Sequence, residues 1–200
     1  MEGGMRQNRL LCIVSAMQQL IEKGRLEEQQ RLERAQELIA FLVERDDWLP
    51  DELSKANNNS YQQNLLYGDP LGRFSLVSFV WGPGQKTPIH NHEVWGVVGV
   101  LRGAEVEQSY KLGGTSSNEL IKFGNEVTLE EGDVSVVSSA STDYHMVRNK
   151  FDDRTSVSIH LYGGNIGRVS RSFFDKTSSS VKPFISNYSN KFVPNLWHCG

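Results

Sequence analysis

Hydrophobic positions recur along this chain with two different periods, and the change falls near residue 60. In RLLCIVSAMQQLIEKG, Leu10, Val14, Met17 and Ile21 return at three- and four-residue steps, which is the spacing of one helix face, and Gly24 supplies a stop. In EEQQRLERAQELIAFLVERDDWLP, Leu32, Ala35, Ile39 and Leu42 make a second stripe, with acidic residues in the first turn and Pro50 beyond the end. Both stripes predict helices that pack on a core. From there the pattern shortens: FSLVSFVWGPG, VWGVVGVLRGAEVEQSYKL, NELIKFGNEVTLEEGDVSVVSS and TSVSIHLYGG are β-branched or aromatic runs punctuated by Gly-Pro, Gly-Gly and Glu-Gly-Asp turns. Closely spaced short strands without intervening helices predict an antiparallel sandwich or barrel. The Ser- and Asn-rich DKTSSSVKPFISNYSNKF is expected to lie over its surface as loop or short strands. The expected organisation is a helical extension over residues 1–50 and a mainly β barrel over 51–200 that ends in a loop or strand segment.

Composition narrows the setting without naming a chemistry. A net charge of -3 over 200 residues offers no general attraction to nucleic acid or to an anionic membrane. The longest apolar runs fall short of the ~20 residues that span a bilayer, and MEGGMRQNRL does not read as a signal peptide. Cys12 and Cys199 are the only cysteines, too few for a disulfide framework, so a reducing cytoplasm is the expected compartment. The oligomeric state is not set by these features.

The chemistry enters at PIHNHEVWGVVGVLRG. On a strand, residues i and i+2 share a face, so His90 and His92 are expected to point into one space about 7 Å apart along the strand, with Asn91 turned away. Two histidines so placed can ligate one metal ion or form a hydrogen-bonded pair near a barrel mouth. Further on, DYHMVRN carries His145 and Asn149, and SVSIHLYGG places Ser158, His160 and Tyr162 on one face of a strand. Taken alone, that trio reads as the polar side of an alternating strand.

Taken together and in this order, the three motifs resemble the thiol dioxygenases of the cupin superfamily, the family of cysteine dioxygenase type I and 3-mercaptopropionate dioxygenase. The resemblance runs from about Tyr61 to Arg171. It implies a double-stranded β-helix, or jelly-roll, barrel behind N-terminal helices. It also implies one iron(II) per chain on His90, His92 and His145, with a small thiol carboxylate and O2 as reactants and a sulfinic acid as product. Tyr162 would meet the substrate or oxygen, His160 would orient Tyr162, and Ser158 would orient His160. Three neutral imidazoles leave the charge of a divalent ion uncompensated, which favours an anionic chelating substrate.

Several positions depart from the family pattern. Gly96 stands where a cupin glutamate ligand usually falls, and also where animal-type cysteine dioxygenases carry the cysteine cross-linked to the site tyrosine. The Pro-x-Gly that usually precedes the single histidine is missing from SSASTDYH. Gln63 stands where those enzymes place a carboxylate-binding arginine. These differences resemble the bacterial 3-mercaptopropionate type, in which an arginine after the S-x-H-x-Y strand binds the carboxylate. Arg171 matches it, with Arg168 as the neighbour that could be confused with it. Another metal-dependent cupin enzyme, such as an isomerase or other oxygenase, would share the histidines without needing the Ser158–His160–Tyr162 trio. A non-catalytic small-ligand-binding cupin is the remaining alternative. His198, in a C-terminal tail, is set aside, and Trp81 and Trp95 read as core or pocket wall. YGGNIG reads as a turn, and Ser178 to Ser180 as a polar loop.

Overall fold

The structure, a computed structural model, describes residues 8–22, 27–113, 120–137, 144–175, 177–194 and 196. Gly24, His198, Cys199 and the segment 138–143 before the second motif lie outside them. Among the described residues two helices come first, α1 (Asn8–Glu22) and α2 (Glu28–Val43), followed by a short 3-10 turn (Asp51–Leu53). The strands are β1 (Gln62–Gly68), β2 (Ser75–Trp81), β3 (Ile89–His90), β4 (Gly96–Arg102), β5 (Ala104–Leu112), β6 (Leu120–Glu130), β7 (Val134–Val137), β8 (Tyr144–Asn149), β9 (Ser156–Tyr162), β10 (Arg171–Asp175) and β11 (Ser180–Phe184). No helix among the described residues is long and apolar enough to cross a membrane.

All strand pairs are antiparallel and fall into two sheets, ordered β1-β2-β9-β4-β7 and β11-β10-β3-β8-β5-β6. The chain crosses repeatedly between the sheets, rolling them into the double-stranded β-helix barrel of a cupin. The serine-rich segment after Asp175 joins β10 to β11 as a hairpin, with Ser180 paired to Asp175.

The helices cover the outer face of the five-stranded sheet. Leu10, Ile13 and Met17 of α1 and Ile39 and Leu42 of α2 share one core with Leu76, Val97, Val157, Ile159 and Leu161. At about 1.5–3 kcal/mol for each large apolar side chain removed from water, this contact makes the helices part of the barrel's stability. The opposite face of the same sheet packs inward, where Val77, Phe79, Trp81 and Tyr162 join Val147 and Ile166. Strands β2 and β9 are therefore buried on both faces along their whole length, which explains the near-continuous apolar sequence of β2, whereas β9 turns its polar phase, Ser156, Ser158 and His160, inward.

Gly99 is the seat of α2 on β4. A Cβ there would lie 2.5 Å from Ile39 Cγ2 and 3.0 Å from Val43 Cγ1. Gly99→Ala is expected to lower unfolding stability by about 1–3 kcal/mol, as overpacking of a filled core does. Urea unfolding measures this. An unchanged midpoint would show that the helix shifts freely on the sheet.

Candidate metal centre

The three histidines come from two backbone arrangements. In the β3–β8 pair His90 stands directly opposite His145, which puts both side chains on the inner face of the sheet. His92 reaches the same place differently from the alternation expected of one strand. Strand β3 ends at His90, and His92 lies in the loop that follows, before Glu93 turns the chain at φ 60°. Asn91 pins that loop: its N–H donates to the Ser172 carbonyl at 3.0 Å, and its Oδ1 accepts from the Ser172 N–H at 2.8 Å.

The imidazole centroids are 4.9 Å apart for His90–His92, 4.8 Å for His90–His145 and 4.6 Å for His92–His145. One nitrogen from each ring can be chosen so that all lie within 4.8 Å of one another. His90 Nδ1 is 3.1 Å from the Pro88 carbonyl, and His145 Nδ1 is 2.7 Å from Glu107 Oε1. Carbonyl oxygen accepts only, and Glu107 is held below the ordinary carboxylate value. Burial alone would raise Glu107, but the hydrogen bond and charge of His145 together outweigh it. Both Nδ1 atoms therefore donate, which leaves the Nε2 lone pairs of His90 and His145 for the cluster. The Nε2 atoms of His92 and His145 approach to 3.3 Å. Burial first, and then the neighbouring imidazoles and Arg171, hold His90 and His92 well below the usual imidazole value. Buried and convergent nitrogen donors, with His90 and His92 held neutral, fit a divalent transition-metal ion.

A hydrogen-bonded row runs beside the cluster on β9. Ser158 Oγ lies 2.8 Å from His160 Nε2, and His160 Nδ1 lies 2.8 Å from the Tyr162 hydroxyl. All three residues are buried. Burial, and then the charge of His145, lowers His160 to about 3, so its ring is neutral and carries one proton. Burial likewise raises the Tyr162 phenol, against the opposing pull of Arg171. The Tyr162 ring stacks on His92 at 5.8 Å, so it packs against the histidine cluster. Gly96 pairs with Tyr162 across β4–β9, and a Cβ on it would come within 2.8 Å of the tyrosine ring. No side chain at position 96 is available for a cross-link to Tyr162.

The two arginines separate cleanly. Arg168 is exposed, whereas Arg171 is 4% exposed and its guanidinium lies over the Phe184 ring at 4.6 Å. Its NH2 donates to Ser186 Oγ at 2.6 Å, and its Nε is buried without a partner. Gln63 Nε2 donates to that same Ser186 Oγ at 3.1 Å and to the Asn187 carbonyl at 3.0 Å. Arg171 and Gln63 thus meet on one hydroxyl that neither sequence motif contains. With two donors on its oxygen, Ser186 keeps its own proton free to donate.

Sequence reasoning passed over Glu105, Glu107 and Ser186. The glutamates stand at i and i+2 on β5, and both line the cavity that holds the histidines and Tyr162. Their spacing carries the signal, since it is the same one that marks Ser158, His160 and Tyr162. Trp81 also lines this cavity, and its Nε1–H donates to Ser158 Oγ at 3.3 Å. Trp95 instead belongs to the helix-side core.

A rolled double sheet with three convergent imidazoles inside defines a cupin barrel whose histidines could hold a metal ion. The family model described as cysteine dioxygenase type I matches residues 8–176, and the chain belongs to that family. Cysteine dioxygenase type 1 of Rattus norvegicus is 31% identical over 110 residues, covering 54% of this chain and 54% of the rat protein. That of Bos taurus is 26% identical over 140 residues, covering 70% of this chain and 68% of the bovine protein. The chain thus spans about half the length of the rat relative it matches. Among solved structures, a Thermus thermophilus protein is similar at TM-score 0.44 and 18% identity, over 58% of this chain and 96% of that one. A cupin superfamily protein from Desulfitobacterium hafniense is similar at TM-score 0.44 and 15% identity, over 60% and 94% of the respective chains.

Proposed function

We propose that the chain is a cytoplasmic non-haem iron(II) thiol dioxygenase that oxidises a small thiol carboxylate with O2 to the sulfinic acid, preferring 3-mercaptopropionate to L-cysteine. The observation that carries this reading is Arg171, a buried guanidinium whose charge reaches His90, His92 and Tyr162 and which has no carboxylate partner among the described residues. Only tyrosines favour its charged form, and burial lowers its pKa. A buried cation in that position calls for an anion, and the carboxylate of a ligand bound at the histidines supplies one in the bidentate geometry that arginine favours. Gln63 and Ser186 complete the polar wall around that anion. Gln63 in place of the arginine and Gly96 in place of the cysteine of the animal-type site support 3-mercaptopropionate over L-cysteine.

His90 and His145 would hold the iron through the Nε2 atoms that Pro88 and Glu107 leave free, together with a nitrogen of His92. Iron(II), when bound, supplies the unpaired electrons that let triplet dioxygen react with a closed-shell thiolate. The chain's own residues do the rest. Arg171, Gln63 and Ser186 fix the carboxylate, the aromatic wall of Phe79 and Trp81 excludes water, and Tyr162 presents its phenol beside the sulfur. The test is oxygen uptake and sulfinate detection over a thiol panel after anaerobic iron(II) loading. A higher kcat/KM for 3-mercaptopropionate than for L-cysteine is expected. A much higher value for L-cysteine would overturn the preference, and absence of sulfinate from every thiol would overturn the reaction class.

A further inference from the structure

Of the two acidic side chains among the described residues that line the histidine cavity, Glu107 engages His145 and Glu105 is left unused by the proposed reaction. It is 1% exposed on β5, Ser158 and Trp81 are the polar side chains that favour its ionised form, and its Oε1 is buried without a partner. It therefore sits at the closed end of the Ser158–His160–Tyr162 row, opposite the phenol. We propose that Glu105 is a positioning residue that holds the row's terminal proton, and that its protonation sets the direction of every hydrogen bond between it and the cavity.

The proton count makes this concrete. With Glu105 protonated, its O–H donates to Ser158 Oγ, the Ser158 O–H to His160 Nε2, and the His160 Nδ1–H to the Tyr162 oxygen. The phenol proton then points into the cavity. With Glu105 ionised the row holds one proton fewer and each bond reverses. Tyr162 donates to Nδ1, Nε2–H donates to Ser158, and Ser158 donates to the carboxylate. Trp81 Nε1–H donates in both states and does not choose between them. The neutral His160 ring is what makes the row reversible, since it carries a single proton that can sit on either nitrogen.

The surroundings keep both states within reach. Burial raises Glu105 to about 7, against the opposing bonds from Ser158 and Trp81, and the nearby charge of Glu107 on the same strand adds to the rise. Facing it are Ser158, His160 and Tyr162 from β9 and Trp81 from β2, with His145 of β8 on the same cavity wall. Among the described residues no lysine or arginine lines that cavity, and Arg171, whose charge reaches His90, His92 and Tyr162, lies beyond its lining. A thiol that binds as thiolate must lose a proton. When its S–H bond breaks, the electron pair stays on sulfur and the proton passes to the Tyr162 oxygen. The phenol proton then moves to His160 Nδ1, the Nε2 proton to Ser158, and the Ser158 proton to Glu105. Only this use of the proton rests on the thiol reading; the direction of the row does not.

The test reads the tautomer of His160 by 15N NMR in the full-length, metal-free chain. Substitution of each histidine assigns the signals, so the result is independent of turnover. In the wild type the His160 proton is expected on Nδ1 below about pH 7 and on Nε2 above it. In Glu105→Gln the tautomer should no longer respond to pH. Ser158→Ala, which cuts the row between Glu105 and His160, should abolish the response as well. One tautomer throughout the pH range in the wild type would overturn the proposal, as would switching that persists in either variant. A chain that switches tautomer but oxidises no thiol would keep the row and remove only the thiol reading.

Discussion

Arg171→Met is expected to raise the KM for 3-mercaptopropionate by about 30-fold or more, with kcat much less affected and iron content unchanged. Truncating one partner of a buried, hydrogen-bonded charge pair costs about 2–5 kcal/mol, and 2 kcal/mol is roughly a 30-fold change in binding. The carboxylate contact is made alike in the bound substrate and during reaction, which is why the loss should fall on KM. The free protein should respond in the opposite sense. Its Arg171 is desolvated, with Nε unpartnered and Phe184 beneath the guanidinium, so a methionine of similar length removes an unpaired buried charge. A melting temperature at or above that of the wild type is expected. A thiol without a carboxylate, such as 2-mercaptoethanol, serves as the control, because its KM should move little. An unchanged KM for 3-mercaptopropionate would take Arg171 out of the site, whereas an equal loss for both thiols would assign it to general architecture.

Most of the frame was legible because its causes are local. The stripes at Leu10–Met17 and Ala35–Leu42 bury one helix face, and the apolar run at 75–81 and the alternating run at 156–162 are strands covered on both sides. The histidine pair was legible in its destination and not in its route. Alternation puts His90 and His92 on one strand, but pairing stops at His90 because Asn91 bonds to Ser172 and Glu93 adopts positive φ. A two-residue spacing does not distinguish that turn from an extended strand. Glu105 and Glu107 fail for a different reason. In AEVEQSY the polar phase of the alternation is conventionally assigned to solvent, and here it faces inward, because the barrel interior has polar groups to satisfy. Ser186 was illegible altogether: its contact with Arg171 and Gln63 depends on how the segment after β11 folds back over the barrel, which no periodicity encodes.

Glu105 should also leave its mark on stability. Its folded-state pKa is raised from 4.5 to about 7 by burial, so between those values the folded chain keeps a proton that the unfolded chain has released. Stability from this group is therefore full below the unfolded pKa and is lost as pH rises through the folded one. The loss between pH 5 and pH 8 comes to about 2–3 kcal/mol. Glu107 and Asp69, both held below the ordinary carboxylate value, act in the opposite sense and at lower pH. A single stability curve therefore mixes these contributions, and the difference between wild type and Glu105→Gln isolates one of them. Glutamine keeps the shape and the polar contacts with Ser158 and Trp81 but cannot ionise. Urea unfolding of the metal-free proteins should show Glu105→Gln gaining on the wild type by about 2–3 kcal/mol from pH 5 to pH 8. A difference that stays flat across that interval would mean that Glu105 is ionised throughout, with its charge met by groups other than those seen around it. The serine–histidine–tyrosine row would then run in one direction only, and Tyr162 could not alternate between donor and acceptor.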